Sequence, residues 1–194
     1  TAARIKVIVI GRVDPGADPG LEAVVQGIDG HVRIDGAFRA LQTRLEHGLQ
    51  AATRAHREGA DIDWVVATLL HDIGDGLAPQ NHDQFAAEIL RPYLREEVVW
   101  TVAHHGTFQM YYYAHHYGWN QHEREKYRDS VYYDSCVAFC ERWDQSSFDP
   151  GYRSKDLSFF VPMVKEVFAR RAYDPDAIRK GVVIGLPPLS DEGA

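Results

Sequence analysis

Only two cysteines, Cys136 and Cys140, occur in 194 residues, and they lie four apart on a predicted helix. Two thiols do not staple a chain of this size. At that spacing they read as small, reduced, buried side chains, and the expected location is the cytoplasm. No apolar run approaches the roughly 20 residues of a membrane span. The opening stretch, Thr1 to Ile10, is short and apolar but has no cleavage-site pattern, so it is not read as a signal peptide. Basic residues are outnumbered, 21 Lys+Arg against 28 Asp+Glu for a net charge of −7, and no dense basic patch occurs. That argues against nucleic acid as a partner. With membrane and nucleic acid set aside, the expected partner is a small-molecule substrate.

What is present is ordinary globular composition, 45% hydrophobic and 25% charged, in a length that suits one domain. The excess is histidine, at ten residues, several of them clustered. Residues 1–36 read as an irregular N-terminal arm. Ile5 to Ile10 is β-branched enough for one short strand, and Asp14-Pro15-Gly16 and Asp18-Pro19-Gly20 are turn signals. Residues 37–180 read as the helical domain, and 181–194, rich in Gly and Pro, as a loose tail.

Within the domain the apolar spacing predicts helices. One runs from Leu41 to Glu58 and ends at Gly59; Asp61 caps the next, with Val65, Val66, Leu69 and Leu70 apolar. Asn81 is placed to cap a third, which Pro92 bends or divides. A fourth covers Glu96 to His105 and stops near Gly106; Phe108 to Trp119 has no clear structure. A long helix over Glu123 to Asp144, a loop over Ser146 to Lys155 and a last helix over Ser158 to Arg171 complete the reading.

The informative dipeptide is His71-Asp72, at the end of an apolar helical run. It is a poor core element and a good metal site: imidazole is a borderline ligand, and a carboxylate can bridge two ions. Further candidates lie on apolar faces. His82 precedes Phe85, Ala86 and Ile89; His105 follows Val98 and Val102; Asp144 follows Tyr133, Val137 and Cys140. A buried ionised aspartate is costly unless paired or metal-bound. His47 flanks its stripe, 24 residues before His71, a distance that suits two antiparallel helices joined by a short turn.

His47, His71-Asp72 and Asp144 resemble the H…HD…D signature of the HD-domain superfamily, all-helical metal-dependent proteins, and the match covers about residues 41–150. His82 and His105 are similar to the two histidines that its dinuclear branch adds. The resemblance implies an all-α HD-domain bundle with six ligands, His47, His71, Asp72, His82, His105 and Asp144, and Asp72 as the bridge. Within that branch, Arg44-Leu45-Glu46-His47 and Glu141-Arg142-Trp143-Asp144 resemble the stretches around the first and last ligands of the phosphonate-cleaving oxygenases, relatives of myo-inositol oxygenase. That implies two iron ions, suspected to be mixed-valent, with O2 as co-substrate for cleaving a C–C or C–P bond of a small hydroxylated substrate. The alternatives are a metal-dependent phosphohydrolase and, ranked last, a non-catalytic HD module.

The departures from those oxygenases bear on substrate. Ala37 and Ala40 stand where a Tyr-x-x-Glu loop is found in the enzymes that act on amino-substituted phosphonates. Asp75 stands where the relatives have Lys or His, and an anion there favours an ammonium or hydroxyl donor over a phosphonate. Gln109 replaces an expected basic residue. Lys126, Arg128 and Arg142 are the remaining candidates for an anion contact.

His104 adjoins His105, and helical neighbours point about 100° apart. His105 is taken as the ligand; His104 is a substrate-positioning, supporting or surface residue. Asp75 and His104 are the candidates for a catalytic role, and Gln50, Asp75 and Gln109 for substrate binding; Asp75 is equally a cap in its turn. Glu46 either orients an imidazole or is exposed. Tyr111 to Trp119, with His115 and His116, reads as aromatic packing or as a lid hinged at Gly106 and Gly118. Glu123 to Asp129 reads as a solvated face.

Overall fold

The structure is a computed structural model that describes the backbone of residues 34–189 and side chains from residue 44. The short strand expected at Ile5 to Ile10, nearly all of the arm and the last residues of the tail lie outside these. Seven α-helices and no strand occur among the described residues: α1 Ile34–Arg57, α2 Ile62–Leu70, α3 His82–Leu90, α4 Glu96–Tyr113, α5 Tyr133–Phe139, α6 Leu157–Phe168 and α7 Pro175–Ile178. The bundle is all-α, as expected. No described helix is long and apolar enough to cross a membrane.

Local chemistry sets the boundaries. α1 ends where Gly59 adopts φ of 81°, and Asp61 caps α2 by accepting from the Trp64 N–H at 3.1 Å. Asn81 stands at the head of α3 but its side chain makes no capping bond. α3 closes at Leu90, before Pro92, so the proline divides the pattern.

Two helical extents differ from expectation. α4 does not stop at Gly106 but continues to Tyr113 and passes into a 3-10 turn, Ala114–Tyr117. Glycine inside a helix costs about 1 kcal/mol, which the full burial of Phe108 two residues on readily offsets. Gly106 also lies against α3, where a Cβ would meet Asp83 Oδ2 at 3.4 Å. It is a packing residue inside a continuous helix, which favours the aromatic-packing reading over a lid hinged there. The long helix expected over Glu123 to Asp144 is broken into a 3-10 turn, Glu123–Tyr127, then α5, then a π-helical turn, Cys140–Asp144. Ser130 interrupts it: its Oγ accepts from the Tyr132 N–H at 3.3 Å and its carbonyl from Tyr133 at 3.0 Å.

The core is built around Trp64, Phe139, Trp143 and Phe160, together with Leu90, Leu94 and Val98. Glu97, at the start of α4, is also fully buried. It accepts from Ser135 Oγ at 2.7 Å, Arg95 Nε at 3.2 Å, and the backbone N–H groups of Ile184 at 3.0 Å and Gly185 at 2.8 Å. Trp64 Nε1 donates to Gly185 O and Arg142 to Pro187 O. The expectation of a loose tail from Gly181 therefore fails for 181–187, because that segment satisfies buried polar groups of the bundle. Cys136 and Cys140 are free and buried, with Sγ atoms directed at the carbonyls of Thr101 and His105.

Candidate metal centre

Four imidazoles and two carboxylates come together from separate segments. His47 comes from α1, His71 from the end of α2, Asp72 from the turn that follows, His82 from the first residue of α3, His105 from mid-α4 and Asp144 from the π-helical turn. Close backbone approach makes this possible. A Cβ on Gly48 would lie 2.8 Å from Leu69 O, so α1 and α2 cross at glycine contact beside His47 and His71. A Cβ on Gly74 would lie 2.8 Å from Phe85 Cδ1, which holds the turn carrying Asp72 and Asp75 against α3. A π-helical turn reaims one side chain relative to the helix before it, and here it ends on Asp144.

All four rings are oriented alike. Nδ1 of His47 faces Ser147 O at 3.0 Å, of His71 Thr68 O at 2.7 Å, of His82 Pro79 O at 3.2 Å and of His105 Val102 O at 2.7 Å. Each carbonyl accepts the Nδ1 proton, which leaves every Nε2 as a lone pair directed into the cluster, the tautomer a metal ligand requires.

The inward atoms form two groups that share Asp72. His47 Nε2 is 3.1 Å from His71 Nε2 and 3.1 Å from Asp144 Oδ1; Asp72 Oδ2 is 3.7 Å from His47 and 3.6 Å from His71. Asp72 Oδ1 is 3.2 Å from His105 Nε2 and 3.4 Å from His82 Nε2. Ligands bound about 2.1 Å from one ion stand roughly 3.0–3.4 Å from each other, the scale of these separations. Asp144 Oδ2 is buried without a partner among the described residues, as suits an atom that binds a cation. The residues present therefore fit a bound metal, with His47, His71 and Asp144 in one group and His71, Asp72 and His105 in another.

Electrostatics agrees. Burial disfavours charge on Asp72, yet the imidazoles of His71, His105 and His47 hold its carboxyl well below the usual range. Burial likewise opposes the charge of Asp144, and hydrogen bonds from His47 and His71 hold it low. Burial resists protonation of His47, His71 and His105, but the two carboxylates outweigh it and raise all three above 6.5. The carboxylates thus draw positive charge into the cluster, as protons on the imidazoles or as a cation that replaces them.

The surroundings are more mixed. Asp75 lies at the edge, with Oδ1 3.9 Å from His82 Nδ1, but it is ion-paired: Arg44 Nε stands 2.7 Å from Asp75 Oδ2, while Arg44 Nη1 donates to Asp72 Oδ2 at 3.2 Å. The uncompensated anion expected at Asp75 is thus balanced by an arginine. Arg44 was not among the cations expected here, although it precedes His47 by one helical turn. The expected ones are engaged elsewhere, Lys126 with Glu123, Arg128 with Glu125 and Arg142 with Glu58.

Gln109, one turn after His105, has a buried Oε1 with no partner among the described residues. Gln50 does not reach the cluster with a free amide: it donates to Asp149 O at 2.9 Å and accepts from Asp149 N at 3.2 Å. His104 stacks on Trp100 at 4.1 Å, packs edge-on to Tyr127 and turns Nδ1 to Trp100 O. These are packing contacts, and none of them brings His104 to the cluster. Glu46, His115 and His116 are exposed, so the orienting acceptors are backbone carbonyls. Phe148 stacks on His47 at 4.5 Å, a contact absent from the sequence expectations.

A family model of the HD domain matches residues 44–143. None of the curated proteins compared with this chain matches it. The family match takes in just over half of the chain and, in Arg44 to Trp143, holds five of the six converging side chains, with Asp144 the next residue. The chain belongs to the HD domain family.

Proposed function

We propose that this chain is a diiron oxygenase that uses O2 to cleave a C–C or C–P bond of a small hydroxylated substrate. The observation that carries the dinuclear reading is Asp72, whose two oxygens face different sets of imidazoles. His47, His71 and Asp144 would hold one ion with Asp72 Oδ2, and His82 and His105 the other with Asp72 Oδ1. Four imidazoles favour a borderline transition metal such as iron over magnesium. Bound irons would supply the redox chemistry toward O2 and the substrate.

The chain's own groups do the rest. Backbone carbonyls fix the imidazole tautomers. Phe148 covers the outer face of His47 and limits water there. Gln109, whose Oε1 has no partner among the described residues, suits a donor on the substrate. Asp75 positions Arg44. Lys126, Arg128 and Arg142 are paired elsewhere, so recognition of any substrate anion falls to Arg44.

The test is anaerobic iron loading followed by metal analysis, electron paramagnetic resonance and an oxygen electrode, with polyols, hydroxyphosphonates and amino alcohols as substrates. Two irons per chain, a mixed-valent signal and substrate-dependent O2 uptake are expected. Manganese-dependent turnover of an aryl phosphodiester without O2 uptake would replace this reading with the hydrolase.

A further inference from the structure

Arg44 makes two contacts of unequal permanence. Its Nε pairs with Asp75 Oδ2 at 2.7 Å, and its Nη1 reaches Asp72 Oδ2 at 3.2 Å. That second oxygen also faces His47 and His71 at 3.7 and 3.6 Å. A cation held there would share that oxygen with Nη1 and, having the same sign of charge as the guanidinium, would weaken the contact. Asp75 is free of that competition and keeps Nε. The outer edge of the guanidinium, on a side chain 46% exposed, would then be less fully compensated and open to a further anion.

We propose that this edge of Arg44 binds a carboxylate of the substrate, and that the substrate class is a small hydroxylated carboxylic acid. The inference rests on the dinuclear reading above. A guanidinium fork matches a planar carboxylate in two parallel hydrogen bonds. Asp75 already offsets part of the arginine's charge, which suits one further negative charge better than the two of a phosphonate. The hydroxyl beside the carboxylate falls to the metal side. Asp75 is a positioning residue in this scheme, since it acts through Arg44.

Three probes isolate the charge: lactate, its neutral counterpart propane-1,2-diol, and 1-hydroxyethylphosphonate. Each is titrated into iron-loaded wild-type, Arg44→Ala, Arg44→Gln and Arg44→Lys protein by calorimetry and by perturbation of the iron spectrum. Thermal midpoints and iron content are read on the same samples. Arg44→Ala and Arg44→Gln are expected to weaken lactate by about tenfold or more and leave the diol unchanged, with Arg44→Lys between. Wild-type protein is expected to bind lactate more tightly than the phosphonate.

Equal weakening of lactate and diol, or no weakening of either, at full iron content would overturn the role of Arg44 alone. Tighter binding of the phosphonate would overturn the carboxylate class. Protein that takes up no metal would sink the dinuclear reading and this inference with it.

Discussion

His47 Nε2 and His71 Nε2 lie 3.1 Å apart, each ring having committed its Nδ1 to a backbone carbonyl. Two lone pairs do not stay at that distance unless something positive stands between or beside them. A proton serves in the metal-free protein, and a metal ion serves in the loaded one. The two states should therefore respond to pH in opposite ways.

In the metal-free protein, His47, His71 and His105 have pKa values raised above 6.5. The folded state binds these protons more tightly than the unfolded chain does. That stability is complete below pH 6.5 and lost as pH rises through the folded values. Asp72 and Asp144 are held below their ordinary 3.8, so their contribution is present above that pH and lost as it falls further. Chelated protein is expected to melt highest in the mildly acidic range and to lose stability from pH 6.5 to 8. Metal must displace those protons, so loaded protein is expected to gain stability over the same interval. Thermal unfolding across pH, with chelator and with metal, checks both trends; a rising midpoint in chelated protein would contradict the argument.

In the dinuclear reading, the division of ligands about Asp72 makes the two ions separable. His82 meets the cluster through Asp72 Oδ1 at 3.4 Å and is the more exposed ligand, whereas His47 serves the group with Asp144. His82→Ala is expected to retain one ion per chain. Asp72→Asn, which weakens both groups, is expected to retain less than one. Metal analysis of dialysed protein decides this; loss of both ions from His82→Ala would mean a single cooperative site.

Residues whose chemistry conflicts with their periodic position were the legible ones. His71, Asp72, His82, His105 and Asp144 are polar groups at the ends or on the inner faces of apolar helical patterns, and the structure brings them together with His47. The six-residue cluster therefore follows from spacing and family resemblance. Arg44 was not legible because an exposed arginine one turn before a ligand has no distinctive pattern; only its distances to Asp72 and Asp75 mark it. The acceptors that orient the rings are backbone carbonyls, such as Ser147 O, and have no side-chain signature. Gly106 reads as a helix terminator until the burial of Phe108 is known. Glu97 reads as an ordinary first-turn acid of α4, whereas it is the buried anchor of residues 184 and 185.

That anchor yields a stability test far from the metals. Glu97 is fully buried and balances Arg95, which also pairs with Asp61 and Asp63. Glu97→Ala removes the acceptor of four donors and leaves Arg95 with less compensation. The expected cost is about 3 kcal/mol or more in urea unfolding. Residues 181–187 should become the first site of proteolysis. Unchanged protease resistance of that segment would show that the tail is held by its other bonds, to Trp64 and Arg142.

Gly48 links packing to chemistry most directly. It adjoins His47, and a methyl group at its Cβ position would stand 2.8 Å from the backbone oxygen of Leu69, two residues before His71. Neither backbone can yield locally, so α1 and α2 must separate. Overpacking of this kind costs about 1–3 kcal/mol, and the separation would widen the gap between His47 and His71. Gly48→Ala is therefore expected to lower both the unfolding free energy and the affinity for the ion held with Asp144. Gly59→Ala, at a position with φ of 81° and open space, is expected to lower stability through backbone strain and leave metal affinity unchanged. Comparing the two variants by calorimetry and metal titration separates a fold defect from a defect in the cluster. Equal metal affinity in both would mean that the helix crossing does not set the ligand spacing.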